Sequence, residues 1–466
     1  MTGLAPAAII RPMIDRRCHA DRRWTAGLVG LAIAARIAAV VLLESHTVPR
    51  STYEHGEIAA NLVQGRGFSI AFLGADGPTS QQAPVYPVLL AVAYACLGVE
   101  SPAALLAIQL GQAVLGGVLT LGVMRLTRLW LPERAWAARL AGLLAAAHPT
   151  LVYTATHIQV AGLAATLLVW LVIAAERTGA GVRGGSVALG ILLALLLLTD
   201  PILVLAVPAV VWIVRRASDG RAWNRLAVAG GVAALGLAPW LVRNALVHGE
   251  FVFVKSTFGY AFWQGNCALS AGTDKVVRAT VAEVLERPDD GTLAGAHRTL
   301  WAARHEAGYL DDIALSAAEK QELGRLREPE RSRVLMRRAL AELQADPARY
   351  PRLCFRRLMA FLFFDETNPK TRQPLYRAGH LGLTLLALLG LARADRQTLG
   401  RLGPSLLTFA LLALFHAATI VSARFHIPVE PFMAIWGGSL AAASAGYPRR
   451  LTVSKASGSS SSGLAA

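Results

Sequence analysis

The sequence predicts an all-α protein: a polytopic transmembrane helical bundle with interfacial helices and a small extracytoplasmic helical segment. Apolar runs approaching span length return about ten times along the 466 residues, and a helix needs about 20 apolar residues to cross a bilayer. Hydrophobic residues make up 54% of the chain and charged residues 16%, with a mean hydropathy of +0.46. Soluble domains carry roughly 25% charge. The polar residues collect in two long gaps, 46–83 and 244–375.

In chain order, a basic tail over 1–23 precedes a first apolar run at 24–44. Runs at 84–98, 103–124, 135–149, 157–176, 184–199, 201–216 and 226–243 complete an N-terminal membrane module, 24–243. The polar region 244–375 follows, with Ser316 and Glu319 at capping-box spacing. That box opens a charged helical stretch toward Ala345, which Asp346-Pro347 breaks because proline disfavours helix before it. Runs at 377–393, 403–422 and 427–445 form a C-terminal module, 376–447, and a serine-rich flexible tail covers 448–466. Segment 352–364 is a weak further candidate, interrupted by Arg352, Arg356 and Arg357.

The net charge is +16, which the positive-inside rule explains without nucleic acid. Arg16, Arg17, Arg22 and Arg23, then Arg125, Arg128, Arg134 and Arg139, then Arg215, Arg216, Arg221 and Arg225, then Arg393, Arg396 and Arg401, and last Arg449 and Arg450 all fall in short gaps. These gaps are expected on the cytoplasmic side. The first run is too long for a cleavable signal and lacks a small-residue cleavage site. Strict alternation over every run would place some arginine loops outside. The conflict disappears if 84–98, which is short and begins at Ala83-Pro84, starts at the interface and does not fully cross. Ten or eleven crossings follow, with both termini cytoplasmic and the two polar gaps on the outer face. Four cysteines show no metal spacing; a Cys267–Cys354 disulfide is one option on an oxidising face, two free thiols the other.

The first polar gap reads as a short helix from Tyr53 to Val63, stopped at Gly65-Arg66-Gly67. Glu54, Glu57 and Asn61 share one face of it. Two acids there could act as general base and as orienter or metal ligand, or simply form a solvated face. At the outer end of 226–243, Arg243-Asn244 places an arginine against the inward trend; it either meets phosphate oxygens or snorkels to the interface. The alternation after Gly249 suggests an extended stretch laying Lys255 and Asn266 near the surface. Arg424 and His426 sit at the mouth of the last run, with Glu430 near a helix start, where an acid suits the dipole; His426 is a titratable candidate or a polar cap. Asp200 closes an apolar run, a costly place for an acid and so a candidate site, or a turn residue before Pro201. No Walker, Rossmann, zinc-spacing or Gly-x-Ser-x-Gly pattern is present, so a donor used outside the cytoplasm would have to be lipid-linked.

Four stretches, EHGEIAANLVQGRGFS, PTSQQAPVYPVLLA, PWLVRNALVHGEFVFVKSTFGYAFWQGN and RFHIPVEP, together resemble bacterial glycosyltransferase family 39 proteins, of the protein-mannosyltransferase and aminoarabinose-transferase type. The resemblance spans most of 24–445 and implies a GT-C fold, a bacterial plasma-membrane location and an extracytoplasmic active site. It implies sugar transfer from a polyprenyl-phosphate donor to an envelope lipid, glycan or protein acceptor, with membrane lipids as surroundings. Carried over, Glu54 is the expected catalytic acid with Glu57 in reserve. Arg243, Arg424 and Lys255 are the expected donor-phosphate ligands. Tyr53, His55, Asn61, Asp200, Asn244, Asn266 and His426 are expected to line the substrate site, and Pro84, Tyr86 and Pro87 to start the helix beneath it. The chain departs from the family at Ser51 and at Thr156–Gln159, where relatives carry acids. No cofactor is assigned, and a divalent metal is left open. A lipid-linked glycan transporter or flippase, and a non-catalytic scaffold in envelope assembly, are the alternatives.

Overall fold

A computed structural model describes residues 7–49, 51–217 and 220–442. The tail 448–466, Arg449, Arg450, residues 443–445 of the last apolar run, and the side chains of Arg16, Arg17 and Cys18 lie outside this description. The order of elements is α1 (Ala7–Leu42), α2 (Tyr53–Val63), β1 (Ser69–Phe72), β2 (Ala75–Pro78), α3 (Val85–Leu97), α4 (Pro102–Trp130), α5 (Ala135–Ala147) and α6 (Pro149–Tyr153). Then come α7 (Ala161–Gly179), α8 (Gly185–Leu197), α9 (Val207–Ala217), α10 (Ala222–His248), α11 (Phe258–Asn266), α12 (Thr280–Leu285) and α13 (Leu293–Glu306). The chain continues through α14 (Leu310–Ala314), α15 (Ala317–Gly324), α16 (Glu328–Ala345), α17 (Arg349–Leu362), α18 (Pro374–Ala392), α19 (Arg396–Ala418) and α20 (Glu430–Gly438).

Among the described residues, six helices are long and apolar enough to cross a membrane: α1 from Asp21, α4, α7, α10, α18 and α19. This is a multi-pass membrane protein. The arginine turns gather at one end of the bundle. Arg139 pairs with Asp21 at 3.0 Å, Arg216 with Glu176 at 2.6 Å and Arg134 with Asp395 at 3.8 Å. The polar segments gather at the other end, where Thr52 donates to Glu100 at 2.5 Å and His297 meets the Leu43 carbonyl at 3.2 Å. Both ends of α3 therefore lie at the polar end: Val85 N–H donates to the Leu198 carbonyl at its start, and Glu100 meets Thr52 just past its finish. It packs on α2 as an interfacial helix, and with it set aside the remaining runs alternate in direction.

Several expected spans are broken rather than continuous. Residues 201–206 form a tight 3-10 stretch before α9, and the last run is a nine-residue α20 between 3-10 turns, buried throughout. The run at 135–149 bends at His148, where Pro149 lacks an N–H and starts α6 afresh. That break leaves the last carbonyls of α5 without helical partners. Arg36, buried in α1, supplies them: its guanidinium donates to Ala146 at 3.2 Å and Ala145 at 3.3 Å, and to its own helix at Ala32. Gly116 on α4 makes the room; a Cβ there would fall 2.0 Å from Arg36 Nε. In lipid no water can replace such bonds.

The polar end holds the only sheet among the described residues, a hairpin pairing Ser69 with Pro78 through Phe72 with Ala75. The sequence reading did not anticipate it. Ser316 and Glu319 do form a capping box. The charged stretch behind them is two helices, α15 and α16, because Pro329 at the second position of α16 forces a fresh start. Cys267 and Cys354 are free thiols, so no disulfide joins them. Replacing Arg36 by Met should lower the thermal midpoint in detergent, at a cost of about 1–3 kcal/mol for stranded carbonyls, while Arg22→Met, at the exposed arginine end, should not.

Candidate active site

The α2 helix positions the first group of polar side chains. Gly65 and Gly67 stop it at φ of 76° and 72°, values that suit glycine, and the returning hairpin is tied back to it. Glu57 accepts the Ala71 N–H at 2.9 Å, and buried Asn61 donates to the Ser69 carbonyl at 2.8 Å. Glu57 and Asn61 thus face the hairpin. Glu54, one turn earlier and half-buried, lies near enough to Lys255 to act on its charge.

Around Glu54 the structure gathers charge from distant segments. Lys255 donates to Gln82 at 3.0 Å. Burial holds its ammonium below its ordinary range, with Asp200 and Glu54 opposing and Arg424 adding to the effect. His55 packs edge-on against Tyr86, ring centroids 5.2 Å apart. Burial first, then Lys255 and Arg424, push its imidazole down to about 3, so it is neutral. Tyr53 begins α2 at φ 52°, a strained value for a tyrosine. Its ring is held by stacking on Trp301 at 5.8 Å and by Arg304 at 5.0 Å; burial pushes its phenol up to about 12. Asp200 caps the turn after α8 by accepting Ile202 N–H at 3.3 Å.

Three further cations join Lys255 and Arg424, and the sequence reading missed all of them. Lys275 donates to the Arg304 carbonyl at 3.2 Å and lies 4.0 Å from the Tyr309 ring centre. Buried Arg304 has Nε and Nη1 without hydrogen-bond partners, and the Nζ of buried Lys370 has none among the described residues. Burial, then Arg304 and Arg424, bring Lys370 down to about 7. Burial brings Lys275 down to about 8. Arg424 rests over Phe425 at 5.5 Å and makes no hydrogen bond or ion pair among the described residues. Asp365, held up at about 6 by burial, ties this region together by accepting Ala423 N–H at 3.1 Å. The three missed cations carry no motif; only the fold of 244–375 brings them in.

Other expected site residues have different work. Arg243 donates to the carbonyls of Thr79 at 2.6 Å and Phe68 at 3.0 Å, and lies over Trp240 at 4.8 Å. Protein acceptors take its donors, so it straps the hairpin to α10 rather than presenting a free guanidinium. Asn244, buried beside it, donates to Phe253 at 3.0 Å and accepts from Ser80 at 2.7 Å. Asn266 is fully buried, not near the surface: it donates to Phe262 at 2.8 Å and Thr419 at 3.1 Å and accepts from Arg357 at 3.1 Å. His426 turns inward to Glu430, 3.0 Å away.

A metal beside Glu54 finds no fitting ligand set. Ser51 and Gln159 stand where acids would help, with Ser51 Oγ and Gln159 Nε2 buried and unpartnered. The cation Lys255 occupies the neighbourhood, and the one grouping of metal-type ligands among the described residues lies elsewhere.

The unpartnered donors would favour an anion here, with a sign-definite pH response. Lys370 and Lys275 carry charge below about 7 and about 8 and lose it above. Binding of a soluble phosphodiester, whose own charge is constant in this range, should be tightest near pH 6 and weaken steadily to pH 9 by calorimetry. Lys370→Met should weaken binding at pH 6 and flatten the profile.

No protein-family model and no curated protein matches the chain. Solved structures do. ArnT from Cupriavidus metallidurans bound to undecaprenyl phosphate is 17% identical over 90% of this chain and 78% of its own, with a TM-score of 0.41; its apo state gives 17%, 90%, 78% and 0.40. The oligosaccharyltransferase of Archaeoglobus fulgidus tethered with an acceptor peptide is 14% identical, over 90% of this chain and 49% of that one, with a TM-score of 0.50. The chain spans about half the length of this last protein, and at this identity the likeness speaks for the scaffold alone. The chain shares its fold with this oligosaccharyltransferase: an all-α polytopic membrane bundle with interfacial helices and a helical polar end.

Proposed function

We propose that this protein is a bacterial plasma-membrane glycosyltransferase that moves a sugar from a polyprenyl-phosphate carrier to an extracytoplasmic acceptor. The observation that carries this reading is a half-buried carboxylate, Glu54, near enough to Lys255 to act on its charge, at a polar end that also gathers Arg424, Lys370 and Arg304, the last with Nε and Nη1 free of hydrogen bonds. The solved ArnT complex with undecaprenyl phosphate is in keeping with it.

In the proposed step, Glu54 accepts the acceptor's proton as its nucleophilic atom attacks the anomeric carbon. The bond from that carbon to the phosphate oxygen breaks, and polyprenyl phosphate leaves with the electron pair. One carboxylate suffices for a single displacement with inversion, and the two-carboxylate geometry of glycosidases is not needed. Arg424, Arg304, Lys370 and Lys255 meet the charge growing on the phosphate, in a site where burial strengthens each interaction. Tyr53, neutral His55 and Asp200 form the wall on which the acceptor or sugar is oriented. Arg243 contributes by holding the hairpin over the site.

The test is sugar transfer in proteoliposomes charged with lipid extracts carrying radiolabelled polyprenyl-phosphate sugars. Glu54→Gln should slow label loss by about 10²–10⁴-fold, the usual worth of a general base. Arg424→Gln should raise the donor KM. Glu57→Gln should act mainly on stability, since its carboxylate is tied to Ala71. No consumption of any donor by folded protein, with acceptor extracts present, would favour a transporter or scaffold.

A further inference from the structure

At the bend between α5 and α6, three histidines converge on one acid. Glu430, the first residue of α20, is fully buried, and neither carboxylate oxygen has a hydrogen-bond partner. His426 Nδ1 lies 3.0 Å and His380 Nδ1 3.8 Å from its Oε1; His148 Nε2 lies 3.4 Å from its Oε2. All three of those ring nitrogens are likewise buried and unpartnered. An isolated buried carboxylate is very costly. Lys370 is near enough to act on it, yet makes no ion pair with it among the described residues.

The far side of the His380 ring fixes which of its nitrogens has a lone pair. His380 Nε2 faces the Leu362 carbonyl at 2.9 Å. A carbonyl only accepts, so that nitrogen carries the proton and Nδ1 of the neutral ring presents a lone pair to Glu430. His426 Nε2 faces the Tyr376 hydroxyl at 3.1 Å. A histidine that donates outward to a carbonyl or hydroxyl and turns its other nitrogen inward is the usual arrangement around a bound metal. The lone pair of His380 facing a carboxylate repels it unless a cation stands between them, and the Tyr376 hydroxyl can accept from His426 Nε2 so that Nδ1 presents a second one.

We propose that His380 Nδ1, His426 Nδ1 and Glu430 Oε1 bind a structural zinc ion. These ligand atoms lie within 4.8 Å of one another. Zinc bonds of about 2.0–2.1 Å in tetrahedral geometry set ligands about 3.3 Å apart, and the 3.0 and 3.8 Å separations bracket that value. Two imidazoles and a carboxylate without thiolates suit zinc. His148 Nε2 lies 3.4 Å from the second carboxylate oxygen, on the α5 side. The ion would fasten the start of α20 to α18 and hold the Arg424–His426 turn in place. The proposal does not depend on the glycosyltransferase reading.

The test is elemental analysis of the full-length protein in detergent, purified without a histidine tag. About one zinc per chain is expected, surviving dialysis and leaving with a strong chelator. Its removal should lower the thermal midpoint, restored by Zn²⁺ and not by Mg²⁺. Refilling the stripped wild-type protein with Co²⁺ should give visible d–d absorption at one equivalent. His380→Asn should abolish both signals; where that variant fails to fold, the wild-type cobalt spectrum decides. Wild-type protein that is metal-free as purified and shows no cobalt absorption on refilling would overturn the proposal and leave an imidazolium–carboxylate cluster.

Discussion

One buried carboxylate ties the polar end together. Glu328 opens α16, where the helix dipole favours negative charge. It accepts from Thr79 Oγ1 at 2.6 Å and Ser80 N–H at 2.8 Å, and from the Ser256 hydroxyl. It thereby joins the hairpin's exit, the chain leaving α10 and the long helix of the polar region. Arg243 braces the same corner from α10, and His248 meets Ser80 at 2.8 Å. Glu54, Tyr53, His55 and Lys255 hang from these segments or from the α2 helix tied to the hairpin. Lys255 is one residue from Ser256, and α2 is roped to the hairpin by Glu57 and Asn61. The site's geometry is therefore a property of contacts more than 150 residues apart in sequence.

This dependence explains what could be read from the residues alone. The α2 helix was legible to the residue, since its stop signal, Gly65-Arg66-Gly67, is local. The interfacial character of α3 was legible from arginine bookkeeping across loops, a global constraint that needs no contact map. The capping box at Ser316 and the break after Ala345 are likewise local chemistry. Each of these needed at most one turn of chain or one charge rule.

What failed to show has the opposite character. Arg243 reads as a free cation because its acceptors, the carbonyls of Thr79 and Phe68, are backbone groups invisible in composition. Lys275, Arg304 and Lys370 sit in a region without motifs and acquire meaning only when folded over Tyr53. His148, His380, His426 and Glu430 come from separate segments, and only the last two lie at helical spacing. Asn266 reads as part of an extended stretch near the surface, yet it ends α11 and is sealed against the end of α19. The arginine that answers the helix break at Pro149 lies in α1.

The shortness of α8 carries a consequence for the surrounding lipid. Its 13 residues rise about 20 Å, well below a hydrocarbon thickness of about 30 Å. Val187 and Ile191 on its surface are exposed, as is Leu235 on the adjoining α10. Acyl chains on this flank must compress or tilt to match, at a cost that grows with each ångström of mismatch. The adjoining α10, at 27 residues, rises about 40 Å and spans the full thickness, so the lipid would deform only along the α8 side.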